Sequence, residues 1–575
     1  MIAPAADNGP SLMLIEGSLT AIAFAVAFAL PRLGSAWFTP IERAFSRLAA
    51  RKRLSVLLVG VTALLARLAI LPFCPIPLPF VQDDFSFLLA AKTFALGRLV
   101  NPMPAMWVHF ESIQVTVQPT YVSMYFPAQG LILAAGKVLF GHPWFGLLIV
   151  NALMCAAFTW MLQAWLPPRW ALLGGTIAIL RIALFSYWIN TYSGGGSIAA
   201  LGAALLLGGL PRFIRHTRFR DALLMALGVS ILALSRPYEG LLLCLLAAAL
   251  IAHWLSFGER RPPVALVLRR TALPLAVVMA AVAWLGYYDY RAFGNPRTLP
   301  YTVDRAEYAA APYYIWQSPR PLPIYRHKVI RDFYVREELG SALHLRTPGG
   351  FMAETFVFKP LRLFLFFAGF ALLPPLIMLR RAALDRRIRF LVICIAVVYC
   401  AVIVETWLIP HYFAAVTPAF YALGLQMMRH LRQWKPGGQP VGRTIQRFTV
   451  TICIALAALR LAAEPLHIGL ATWPSGSWAS TWHGPGRLGT ARKHIEDQLS
   501  QLPGGQLILV RYAPDHSSLD EWVYNEPDID HSKIIWAREM DAKNNQELID
   551  YYKDRKVWLV EPDNDPVSLT PYPVQ

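Results

Sequence analysis

A chain of 575 residues that is 56% hydrophobic and only 15% charged, with its apolar residues in long uninterrupted runs, excludes a soluble enzyme and takes the bilayer as its solvent. The formal net charge of +18 raises nucleic acid as a partner. The basic residues, however, cluster at 43–53, 212–220, 260–270, 380–389 and 429–447, in short loops between apolar runs; that is the pattern of cytoplasmic loops under the positive-inside rule, and it argues against nucleic acid.

In chain order, the apolar stretch 12–30 follows an acidic-leaning segment, 1–9, that lacks the positive flank of a cleavable signal, and it reads as a retained helix. With the basic loop behind it, this forms an N-terminal unit, 1–53. The run 55–73 meets the length of a span, roughly 20 residues for a hydrocarbon core about 30 Å thick. Directly after it, FCPIPLPFVQDDFSF lifts the chain off the membrane and presents Asp83 and Asp84. Adjacent carboxylates raise one another's pKa and burial raises it further, which suits a general base or a cation anchor. A solvated Asp-Asp turn is the plain alternative.

In MWVHFESIQ, His109 and Glu111 could hold a divalent cation, Mg or Mn, with the Asp pair, but such residues in an outer loop are usually just solvated, and no metal is assigned. Tyr121, Tyr125 and Phe126 sit where aromatic rings either stack on sugar faces or anchor an interfacial helix, the anchor being favoured. The following run, 127–140, is short and carries Gln129 and Lys137. Counted as a crossing it would put the 212–220 cluster on the wrong side, so it is expected to be interfacial. The remaining parity gives about eleven to twelve crossings, with outer loops at about 75–143 and 289–360.

Glycines in INTYSGGGS (189–197) would let backbone N–H groups approach a phosphate, although a flexible turn is the favoured account. SRPYEG (235–240) breaks an apolar run with Arg236 and Glu239, either as a phosphate site or as an ion pair tethering two helices. YYDYRAFGNPRTLPY (287–301) could close over an acceptor. IPHYFAAVTPAFYAL (409–423) places His411 and Tyr412 at the outer end of a helix. Past the last span, 448–463, strand-like QLILV (506–510), KIIWA (533–537) and KVWLV (556–560) alternate with helical stretches at 488–502 and 545–555. This predicts a small α/β domain, 480–575, outside the membrane. The six cysteines show no CxxC or Cys/His spacing, so neither a disulfide framework nor structural zinc is expected. No phosphate loop, dinucleotide fingerprint or His-Glu-x-x-His helix is present.

An acidic pair in the first outer loop, followed by the aromatic and proline segment PTYVSMYFPAQGLILAAGKVLFGHPW, resembles the lipid-phosphate-sugar-dependent glycosyltransferases of the GT-C fold, in particular the bacterial branch related to protein O-mannosyltransferases and aminoarabinose transferases. The resemblance covers about 54–430, within a membrane domain of 54–470. It implies an all-α polytopic fold in the bacterial cytoplasmic membrane. It also implies a polyprenyl-phosphate sugar donor among the membrane lipids, and a glycan, lipid or protein acceptor on the outer side. By the same resemblance Asp83 is the general base with Asp84 as partner or substitute. Arg236, His411 and Tyr412 are candidates for the donor phosphate, and Glu239, Tyr121, Tyr125, His109 and Glu111 for lining the acceptor or sugar. In relatives the helix at 411 often starts Arg-Tyr; His411 exchanges that permanent charge for one that titrates near neutrality. A lipid or polysaccharide flippase is the alternative, with Arg181, Arg236 and Glu405 along its path. A mere anchor for the C-terminal domain is disfavoured by the number of helices.

Overall fold

Within hydrocarbon every backbone N–H and C=O must be paired inside its own segment, so the apolar runs fold as helices. The computed structural model describes residues 11–259, 261–469 and 489–573. The expectations for 1–9, for the end of the membrane part at 470 and for 480–488 lie outside the described residues. Six described helices are long and apolar enough to cross a membrane: Leu12–Ala29, Trp144–Trp165, Gly196–His216, Pro237–Phe257, Val264–Phe293 and Val441–Leu461. A seventh comes from the pair Pro348–Phe367 and Phe370–Ala383, bent by 92°.

The eleven to twelve expected crossings include shorter or interrupted pieces. Pro168–Ala178 runs into a π-helical turn at Ile179–Ala183, and Lys52–Ala69, Phe219–Ser235, Arg389–Val402 and Thr417–Leu431 are short or carry charge at their ends. The layering follows composition. Trp144–Trp165 and Gly196–His216 are largely enclosed by protein, whereas Pro237–Phe257 and Val264–Phe293 turn most of their apolar side chains outward, as lipid-facing helices do. Gly196–His216 packs on Phe219–Ser235 through Gly202 and Gly228, where a Cβ on Gly228 would lie 2.5 Å from the Gly202 carbonyl.

At one end of the bundle Glu42 accepts from Arg432 (2.7 Å), Arg443 (3.0 Å) and Arg447 (2.9 Å), so the basic cluster 429–447 folds onto the carboxylate that borders the cluster 43–53. The helix Lys52–Ala69 leads from that end to the other, where the chain leaves toward Asp83. Pro127–Phe140 is a helix of 14 residues packed between Gln82–Ala95 and Trp144–Trp165.

The C-terminal sheet runs in the order 534–538, 506–510, 556–561, 568–571, the first three strands parallel and the last antiparallel. The continuous apolar QLILV is a central strand covered on both faces. Ile508 and Val510 pack with Ile495 and Leu499 of the helix Thr490–Ser500. Leu507 and Leu509 pack with Leu548 and Ile549 of Ala542–Tyr551, and this second face continues into Phe85, Phe110, Val115 and Tyr121 of the first outer loop. The domain is therefore joined to the membrane part through a shared apolar core.

Candidate active site

Proline-rich 75–79 cannot continue the helix Lys52–Ala69, and a new helix, Gln82–Ala95, opens with both aspartates in its first turn, where carboxylates complement the unpaired N–H groups. The two then diverge. Asp84 is 1% exposed and both its oxygens are occupied, Oδ1 by the backbone N–H of Tyr192 at 2.8 Å and Oδ2 by that of Phe80 at 3.2 Å. Asp83 is half-buried, and its Oδ1 accepts from the Tyr125 hydroxyl at 2.5 Å. Burial pushes Asp83 above the ordinary carboxylate range, opposed by the Tyr125 and Gln114 side chains and by the charge of Arg236. Burial likewise pushes Asp84 up to about 7 against its backbone donors, and the neighbouring Asp83 adds to the rise.

Arg236 lies in the corner between Phe219–Ser235 and Pro237–Phe257. Its Nη2 donates to the Gly194 carbonyl at 3.0 Å, Nη1 is 3.9 Å from Oε1 of Glu239, and the guanidinium lies 4.7 Å from the centre of the Tyr412 ring. Arg236 thus makes a long contact with Glu239 within one helix start, and its charge opposes the rise at Asp83. His411 is 5% exposed. The Tyr187 hydroxyl accepts from the His411 backbone N–H at 3.0 Å and pairs with the ring Nδ1 at 2.8 Å, which fixes the orientation of the imidazole. A Cβ on Gly194 would fall 2.7 Å from that Nδ1, and only glycine fits, at φ +88°. His411 thus packs as a buried, oriented ring and not as an exposed titrating cation.

Other expected lining residues lie elsewhere. His109 is buried, with Nδ1 on the Arg538 carbonyl (2.9 Å) and Nε2 on the Asn544 carbonyl (3.2 Å). Glu111 takes Tyr308 (3.0 Å), Arg326 (3.0 Å) and His327 (3.3 Å). Tyr121 donates to the Asn525 carbonyl at 3.2 Å. The solvated reading of His109 and Glu111 and the headgroup-anchor reading of Tyr121 are corrected: the C-terminal domain and the second outer loop enclose these side chains, whereas Tyr125 is half-buried against Asp83 and Phe87. Nor do they join the aspartates around a cation. Among the described residues no group of three or more His, Cys, Asp or Glu is placed to hold a metal.

Tyr187 and Arg305 lie beyond the residues singled out in the sequence, and Tyr301 ends the stretch 287–301. Tyr187 orients His411. Tyr301, on the short helix Pro300–Tyr308, stands 5.7 Å from the Tyr313 ring. Arg305 of the same helix binds Glu338 at 3.1 Å and lies 5.2 Å from the Trp407 ring. The stretch 287–301 thus runs into the helix Pro300–Tyr308, with Tyr301 belonging to both.

No protein-family model matches the sequence, and no curated protein matches it. Among solved structures, the chain is similar to ArnT from Cupriavidus metallidurans in the apo state, with 12% identity and a TM-score of 0.49, over 88% of this chain and 92% of that one. The same protein bound to undecaprenyl phosphate gives 15% identity and a TM-score of 0.46 over the same shares. The oligosaccharyltransferase of Archaeoglobus fulgidus in the apo form gives 12% identity and a TM-score of 0.47, over 91% of this chain and 70% of that one. All three TM-scores lie below 0.5.

Proposed function

We propose that this chain is a glycosyltransferase of GT-C type that moves a sugar from a polyprenyl-phosphate donor to an acceptor on the outer face of the bacterial cytoplasmic membrane. One observation carries the reading: of two adjacent aspartates, Asp84 is buried and held by two backbone N–H groups, whereas Asp83 is only half-buried and feels the charge of Arg236. Asp83 accepts the proton of an acceptor hydroxyl as that oxygen attacks the anomeric carbon, and the lipid phosphate leaves with the bonding electron pair. Arg236 offsets the charge that develops on the phosphate. Asp84, closed off by two backbone donors, holds the loop at 192 in place.

The outer placement is supported by the basic residues gathered around Glu42 at the opposite end of Lys52–Ala69. Asp84, His109 and Glu111 are each engaged by other groups, and the last two are not gathered with Asp83. The flippase alternative loses one of its residues, because Arg181 is paired with Glu16 at 2.6 Å in the protein interior.

Transfer of radiolabelled sugar from polyprenyl-phosphate donors to membrane acceptors, by purified protein in liposomes with and without EDTA, tests the reading. Asp83→Asn is expected to abolish transfer while remaining folded. Donor consumption by that variant at the wild-type rate, or none by wild type across a broad donor panel, rejects it.

A further inference from the structure

The helix Gly196–His216 begins with Gly195 as its N-cap and has no side-chain cap, so its first N–H groups lack intrahelical partners. Three glycines in succession lead into it, and two are explained by packing. Gly194 abuts His411, and a Cβ on Gly196 would lie 2.2 Å from the Trp188 ring. Gly195 is different. A Cβ there would meet no protein atom nearer than Oε1 of Gln129, at 3.8 Å.

Gln129 supplies the second, independent observation. It lies near the start of Pro127–Phe140, is 3% exposed, and donates from Nε2 to the Tyr192 carbonyl at 2.8 Å. That bond fixes which way the amide points. Oε1 is left buried without a hydrogen-bond partner and faces Gly195. A buried acceptor thus confronts the free donors of a helix start. A hydroxyl, which donates once and accepts twice, satisfies both at once. The neighbours place this spot in the site: Asp84 holds Tyr192 on one side and Arg236 holds Gly194 on the other.

We infer that the start of Gly196–His216 and the side-chain oxygen of Gln129 form the subsite for the sugar of the lipid-linked donor, one hydroxyl bridging Gln129 Oε1 and the helix N–H groups. The inference rests on the transfer reading above. It assigns the sugar to the Gly195–Gln129 gap and leaves the phosphate to Arg236.

The test is binding, measured on the full chain in nanodiscs carrying Asp83→Asn so that no transfer consumes the ligand. The two probes are undecaprenyl phosphate and the sugar-bearing form that supports transfer in the liposome assay. The sugar is expected to add about tenfold in affinity, the size of one hydrogen bond. Gln129→Leu removes the acceptor together with the bond to Tyr192, and Gly195→Ala fills the gap and keeps that bond, at the cost of a left-handed φ of +61°. Both variants are expected to lose the sugar's increment and to bind undecaprenyl phosphate like the parent.

An increment that survives in both variants overturns the inference, and so does equal weakening of both probes, which signals a displaced loop. If the liposome assay consumes no donor at all, the transfer reading fails and takes this one with it. If transfer stands and the increment is unmoved, only the subsite is wrong.

Discussion

Tyr125 donates its hydroxyl to Oδ1 of Asp83 at 2.5 Å, and its ring stacks on Phe87 at 4.2 Å with the planes 13° apart. Phe87 lies four residues after Asp83 on the same helix, so one helix face holds both the carboxylate and the ring that aims its partner. The arrangement makes the ionised form of Asp83 depend on Tyr125.

From this follows a shift in pH dependence. A base works when ionised, so transfer rises with pH through the Asp83 pKa, which burial has already raised. Donation from Tyr125 favours the anion and opposes that rise. A hydrogen bond to a charged group contributes about 1.5–3 kcal/mol, and one pKa unit corresponds to about 1.4 kcal/mol. In Tyr125→Phe the acid limb of kcat/KM is therefore expected to move up by about 1–2 units. A limb that stays put shows that Tyr125 does not face the working carboxylate.

Asp84 leads to a prediction about stability instead. Its carboxyl stands at about 7 in the folded protein, against an ordinary value of 3.8. Between those values the folded state binds more protons than the unfolded one, so the contribution is fully present below about pH 4 and is lost as pH rises through 7. Thermal unfolding in detergent is expected to show the midpoint falling from pH 4 toward 7 and levelling above it. Asp84→Asn is expected to flatten that slope. An unchanged slope would place the titration on another group.

What the sequence made legible were polar residues interrupting apolar runs: Asp83, Asp84, Arg236 and His411 are conspicuous because a bilayer makes them costly, and three of them surround one loop at 192–194. The three C-terminal strands were legible for a related reason, since continuous apolar pentads bounded by charge suit a sheet covered on both faces. Tyr187 and Gln129 were not distinguishable, as a tyrosine or glutamine near a helix end looks the same whether it faces water or a partner far along the chain. His109, Glu111 and Tyr121 misled for the converse reason: a polar outer loop reads as solvated until the domain that covers it is known. The count of spans depended on helix breaks, such as the π turn at Ile179–Ala183, that hydropathy does not register.

Arg236 is expected to govern donor affinity. A charge-assisted contact of about 1.5–3 kcal/mol corresponds to about ten- to a hundredfold in binding. Arg236→Gln should raise the donor KM by that factor. Arg236→Lys keeps the charge but not the fork that binds Gly194, and should recover only part of the loss. Steady-state kinetics with varied donor decide it; an unchanged KM in Arg236→Gln would remove Arg236 from the donor site.

Glu16 and Arg181 test the flippase alternative. The pair is buried at 3% and 1% side-chain exposure, 2.6 Å apart, and Oε1 of Glu16 also accepts from the Ala371 N–H at 3.1 Å. Gly369, at φ +64°, lets the backbone lie against the guanidinium, where a Cβ would be 1.8 Å from Nη2. Removing one partner strands the other charge in a low-dielectric interior, at a cost of about 3–5 kcal/mol, whereas removing both is close to neutral. Glu16→Leu alone is thus expected to lower the thermal midpoint sharply, and Glu16→Leu with Arg181→Met to restore most of it. Transfer per folded molecule should be unchanged in the double variant, because the pair lies outside the Asp83 site. Were Arg181 instead to line a transport path, the double variant would be stable and inactive, and the two readings separate on that one comparison.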